Sequence, residues 1–235
     1  MTTRNNTVFP MTNDRVFRDV FGTNKEATAG LVASVFGIRR EDITSVDINE
    51  SSMLDGVEDK EYRLDVRVTI NETIVTNLEM QVVNENNWED RSLLYACRNF
   101  DNVNRGSLYT DVKEVAQIGF LDFTLFEDHP EFHALYQMRN AKDGHLYNSK
   151  FGLYVVELNQ IDIATEEDIA NGLDKWVRLF KAKTVEEMNM IAAGNKSMIE
   201  AAKTSATFNE DDIRRQKYWE RQEFLINQEF KEKET

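Results

Sequence analysis

Two carboxylates and a carboxamide, Asp65, Glu79 and Gln81, stand in a stretch where apolar and polar residues alternate. Oxygen donors gathered on one patch suit a hard divalent cation such as Mg²⁺, which takes a near-octahedral shell and keeps several waters. A cation so held lowers the pKa of its water and stabilises charge on a phosphoryl transition state. The chemistry on offer is phosphodiester hydrolysis. The plain alternative is a solvated face, since polar residues at alternate strand positions usually face water.

Whether the three meet depends on one turn. Leu64, Val66, Val68 and Ile70 alternate with Arg63, Asp65, Arg67 and Thr69, and Leu78, Met80 and Val82 alternate with Asn77, Glu79 and Gln81. A period of two puts each set on its own face and reads as a hairpin. A two-residue turn at Asn71 and Glu72 sets Asp65 opposite Leu78. A three-residue loop, 71–73, sets Asp65 opposite Glu79. One residue of register reverses the face.

Other elements must carry this hairpin. Residues 11–36 have helical spacing (Phe17, Val20, Phe21, then Leu31, Val35, Phe36), with Asn13 or Thr12 as cap, a break at Gly22 and Thr23, and a stop at Gly37. Residues 44–53 read as a strand and 88–105 as a helix ending at Gly106. Residues 115–126, 132–138 and 151–158 read as strands, with a turn at Asp143-Gly144. Helical patterns take over from Thr165. The order predicts an α/β or α+β layered domain with a C-terminal helical tail. The expected division is a catalytic domain over 1–160 and a helical extension over 161–235.

The chain resembles the PD-(D/E)XK nucleases described as recombination-promoting nucleases or transposases. The resemblance is carried by Asp14-Arg15-Val16-Phe17 with Phe21-Gly22, by KEYRLDV over 60–66, by LEMQ over 78–81, by RSLLY over 91–95, and by Gly106 to Tyr109 with Val115 and Ile118. It implies a restriction-endonuclease-like core and Mg²⁺- or Mn²⁺-dependent endonuclease cleavage of DNA. It makes Asp65 and Glu79 metal ligands, with Gln81 at the superfamily's lysine position. Neutral glutamine supplies no charge there and can only orient water or phosphate, so slow chemistry is expected. Arg91 and Tyr95, spaced i, i+4, share a helix face. They would be a phosphate clamp and its support, or else an ordinary surface pair. Glu50 is a weaker candidate ligand, and Lys60 reads first as a solvated loop lysine.

Other candidates carry less. His129 and His133 have the spacing of a helical metal pair, but Pro130 disfavours helix at His129 and no third ligand follows. His145 reads as a surface residue and Trp88 as a core anchor. Glu166, Glu167 and Asp168 suit a helix N-terminus. Cys97, the only cysteine, reads as a small buried residue, and its isolation fits a reducing cytoplasm. Residues 1–10 lack the apolar stretch of a signal peptide, and no apolar run approaches the roughly 18 residues of a membrane span. A cytoplasmic protein away from membranes is expected.

The 235 residues carry 28 basic and 42 acidic side chains, a formal charge of -14. That opposes strong non-specific binding to nucleic acid, though local basic patches can still steer a phosphate backbone. A second function class therefore stands beside the nuclease: a non-catalytic interaction or DNA-binding protein that keeps the fold. RNA as substrate is a third. The charged tail, 211–235, has enough apolar residues for one seam, so a homo-oligomer, simplest as a dimer, could form through it.

Overall fold

The computed structural model describes residues 8–49, 66–102 and 106–210. Asp65, Glu50, Lys60 and the tail 211–235 lie outside them.

The first helices are set by their caps. Asn13 accepts from the N–H groups of Arg15 and Val16 and opens α1 (Asp14–Thr23). Asn24 ends α1 in extended conformation, and its side chain opens α2 (Lys25–Phe36) by accepting from Ala27. The break thus falls one residue after Thr23, and Gly22 stays inside the helix. Gly37, at φ 65°, closes α2 with its N–H on the Ala33 carbonyl, a left-handed cap that glycine adopts without a Cβ clash.

The strands are β1 (Val46–Asn49), β2 (Val66–Ile70) and β3 (Ile74–Gln81). After α3 (Trp88–Phe100) come β4 (Glu114–Leu121), β5 (His133–Gln137) and β6 (Phe151–Glu157). Their order in the sheet is β1-β2-β3-β4-β6-β5. The β3–β4 and β4–β6 pairs are parallel, and the remaining pairs are antiparallel. This mixed six-stranded sheet flanked by helices is the α/β, restriction-endonuclease-like architecture expected. Two elements are shorter than the periodicity suggested. The run 115–126 leaves the sheet after Leu121, and the helix from Trp88 ends at Phe100, where the Asp101 N–H reaches the Cys97 carbonyl.

The main core lies on one sheet face. There Val66, Val68, Ile70, Leu78, Met80, Ile118, Phe120 and Val156 meet α1 and α2. They also meet α5 (Leu173–Lys181), α6 (Val185–Ala192) and α7 (Lys196–Glu210), which follow the short α4 (Glu166–Ala170). Aromatic rings join the two ends of the chain: Phe17 lies 4.7 Å from Phe21 and 5.6 Å from Phe120, and Phe120 lies 5.3 Å from Phe180. Each such ring, fully buried, contributes roughly 1.5–3 kcal/mol. Trp176 anchors α5 by donating its indole N–H to Ser34 on α2 at 3.1 Å. Helices after residue 165 thus share one core with α1 and α2.

Among the described residues α3 is the helix that covers the opposite face, and its packing is partly polar. The helix turns Trp88, Ser92, Tyr95, Ala96 and Asn99 toward the sheet. Cys97 lies one residue round from that stripe and is exposed, which corrects the expectation of a buried thiol. Trp88 is buried as expected.

The contact of α2 with α7 rests on one missing side chain. A Cβ built on Gly30 would lie 2.1 Å from Ser197 Cβ, whereas one on Gly22 would find only Val66 Cγ2 at 3.9 Å. Gly30→Ala is expected to lower stability by about 1–3 kcal/mol, the usual cost of overpacking. Gly22→Ala should leave it unchanged or raise it by up to about 1 kcal/mol through helix propensity. Urea midpoints of the two variants check this.

Candidate functional site

The hairpin turns through three residues. Ile70 pairs with Ile74 and Val66 with Leu78, leaving 71–73 as the loop. Asn71 and Glu72 hold positive φ values of 49° and 62°. The Asn71 side chain accepts from the N–H groups of Thr44 and Ser45 and donates to the Asp42 carbonyl, which ties the loop to the segment before β1. Of the two registers open to the sequence, the ladder follows the one with the odd loop.

Glu79 is buried at 1% exposure, with Asn77 at 0% and Gln81 at 8%. The solvated-face reading therefore fails for Glu79 and Gln81, while Asp65 lies outside the described residues. β3 is interior, between β2 and β4, and α3 covers the face that a two-layer pattern would leave wet.

Among the described residues, Gln117 and Arg91 meet the carboxylate. Gln117 on β4 donates from Nε2 to Glu79 Oε2 at 3.2 Å. Arg91 on α3 places Nη2 2.6 Å from Glu79 Oε1. The same guanidinium has Nη1 3.7 Å from Glu85 and its centre 5.6 Å from the Tyr95 ring centroid, within cation–π range. Arg91 is 31% exposed at its side chain and Tyr95 is buried. The i, i+4 spacing thus puts Tyr95 beside the Arg91 guanidinium that reaches Glu79.

Gln81 donates from Nε2 to the Val83 carbonyl at 3.0 Å, while its buried Oε1 has no hydrogen-bond partner among the described residues. Trp88 walls the site. Its indole lies over Gly119, the β4 residue paired with Glu79, where a Cβ would stand 2.0 Å from the ring. Only glycine at 119 lets the ring rest on the sheet beside the carboxylate.

Gln117 was missed in the sequence because residues 115–126 were read as one buried strand. Its signal was a lone amide amid apolar residues, alternating with Val115 and Gly119. Histidine adds nothing to the group. His133 Nδ1 lies 3.0 Å from Asp168, which also caps α4 through Thr165, and His129 lies 3.7 Å from Glu131. His145 is exposed. Among the described residues no cluster of three or more His, Cys, Asp or Glu could hold a metal by itself.

Along the same sheet face, beyond Leu121, Glu157 closes β6. It is 3% exposed, with Oε1 accepting from the Leu125 N–H at 3.1 Å. Burial pushes its carboxyl above the usual range. The Leu125 hydrogen bond pulls the other way, and repulsion from Glu131 and Glu127 adds to the rise.

A family model described as PD-(D/E)XK nuclease family transposase matches residues 11–234. No curated protein and no solved structure matches the chain. Among the described residues no helix is long and apolar enough to cross a membrane.

Because Glu157 binds its proton more tightly folded than unfolded, its contribution is full below the ordinary value of 4.5 and is lost as pH rises through the raised folded value. Glu157→Gln keeps the acceptor for Leu125 and removes the charge. It should be more stable than the wild type at neutral pH, with the gain vanishing in acid, as thermal melts across pH would record.

Proposed function

This chain belongs to the PD-(D/E)XK nuclease family transposases, and from that premise we propose that it is a metal-dependent DNA endonuclease whose centre is built on Glu79, Asp65 and Gln81. Membership supports a nuclease-like or transposase-associated role, and nucleases of this superfamily generally use divalent metal ions on a DNA substrate. The observation that carries the finer reading is the hairpin register. Val66 pairs with Leu78 around a three-residue loop. The same ladder, continued by one pair, would set Asp65 across from Glu79.

The donor set fits a hard divalent cation. Every proposed donor is oxygen, and the buried Gln81 Oε1 is an acceptor with no donor among the described residues. Glu79 and Asp65 would hold the ion. Bound there, Mg²⁺ or Mn²⁺ would lower the pKa of a water and offset charge on the phosphate. The chain's own groups do the positioning. Gln117 fixes the Glu79 carboxylate on the α3 face of the sheet, and Gln81 can align a water through Oε1. Arg91, partly open to solvent, can reach an anionic oxygen, with Tyr95 supporting its stem. Trp88 on Gly119 keeps bulk water from the sheet side of Glu79.

A binding protein that keeps this fold is the second reading. The observation favouring it is the Arg91–Glu79 contact, which already satisfies the acid.

Plasmid cleavage with Mg²⁺ or Mn²⁺ separates the two. The wild type should nick or linearise DNA, and Asp65→Ala and Glu79→Gln should each lower the rate at least about 100-fold, as loss of metal support does. Equal cleavage by the variants, or none by any protein with any metal, would favour the binding reading.

A further inference from the structure

We infer that Arg91 is an exchangeable counter-ion, which neutralises Glu79 while no divalent cation is bound and moves to a phosphate oxygen of the nucleic acid when one takes its place. The inference rests on the nuclease reading and adds to it a coupling between metal and substrate binding.

Among the described residues, the partners of Glu79, Gln117 and Arg91, differ in kind. Gln117 is neutral, fully buried and anchored in β4, and it holds Oε2. Arg91 is cationic, holds Oε1 at 2.6 Å, and stands at the boundary between the buried acid and solvent. A divalent cation at the carboxylate would compete for Oε1 with a guanidinium. Two cations a few ångströms apart in a partly buried setting repel by several kcal/mol. The neutral amide can stay, so the guanidinium is the group that must leave. Its length and exposure allow that, and Tyr95 gives its charge a surface to rest on.

The surroundings decide where it goes. Glu85 is 3.7 Å from Arg91 Nη1 and half exposed, and Glu89 and Asp90 occupy the first turn of α3. With Arg91 folded onto Glu79, this rim presents acid to an incoming phosphate. With the cation bound, the guanidinium is released and the rim becomes less negative by the cation's two charges. A phosphate oxygen is the partner its planar fork fits best. Affinity for nucleic acid is then conditional on the metal, which suits a chain of net charge -14.

The test measures binding, without turnover. Mn²⁺ alone is titrated calorimetrically into the wild type, Arg91→Gln, Arg91→Lys and Glu79→Gln, and a short DNA duplex is titrated with and without Ca²⁺. Arg91→Gln should bind Mn²⁺ about tenfold more tightly than the wild type, the worth of one hydrogen bond to a charged group. Arg91→Lys should fall between them, and it serves as the readout should Arg91→Gln not fold by circular dichroism. The wild type should gain duplex affinity on adding Ca²⁺, and Arg91→Gln should not. Equal or weaker Mn²⁺ binding by both arginine variants, with binding lost only in Glu79→Gln, would overturn the exchange and leave the nuclease reading standing. Absence of Mn²⁺ binding in all four proteins would overturn both.

Discussion

A carboxylate cannot be buried cheaply, and the architecture around Glu79 follows from that constraint. Removing an ionised group from water costs several kcal/mol unless a cation and hydrogen bonds compensate. Glu79 lies in an interior strand at 1% exposure, with Gln117 on one oxygen and Arg91 on the other. Each partner needs its own support. Gln117 requires the parallel pairing of β3 with β4, which sets it two residues before Gly119, the partner of Glu79, on the same face. Arg91 requires α3 to cross this face, and that crossing requires Gly119 to leave room for Trp88. The polar lining of α3, with Ser92 and Asn99 turned inward, matches a sheet face that carries Asn77 and Gln117.

The two faces of the sheet do different work. One holds nearly all the apolar core, closed by the Phe17, Phe21, Phe120 and Phe180 rings and by α5 to α7. It supplies the stability. The other spends its burial on polar groups, several of them without partners among the described residues, including both polar atoms of Asn77 and Gln117 Oε1. Unsatisfied buried groups are costly, so a domain tolerates them where they have a use. A stable face behind a polar face suits a site that must hold its geometry while ions and anions exchange on it.

Much of this was legible in the residues. The alternation 66, 68, 70 and 78, 80 against 77, 79, 81 gave the strands and their faces, because a period of two leaves no other solution. Arg91 and Tyr95 were singled out by the resemblance of the stretch 91–95, and helical spacing placed them on one face. Register was open, because it depends on Asn71 and Glu72 accepting left-handed conformation and on Asn71 bonding to 42–45, contacts that span 26 residues or more. Burial of the polar face was misread because α3 reaches it only through tertiary packing. Cys97 was misplaced for a similar reason, since composition favours burial but the helix phase turns it outward. Gln117 escaped because its meaning comes from a neighbour 38 positions away.

The central claim is that Glu79 is a cation-binding carboxylate held ready by Gln117 and Arg91. Anomalous diffraction from crystals grown with Mn²⁺ tests it most directly. A peak bonded to Glu79, with Gln117 still on Oε2 and the Arg91 guanidinium withdrawn, is the predicted result. Manganese absent from Glu79 while Arg91 keeps its contact would contradict it.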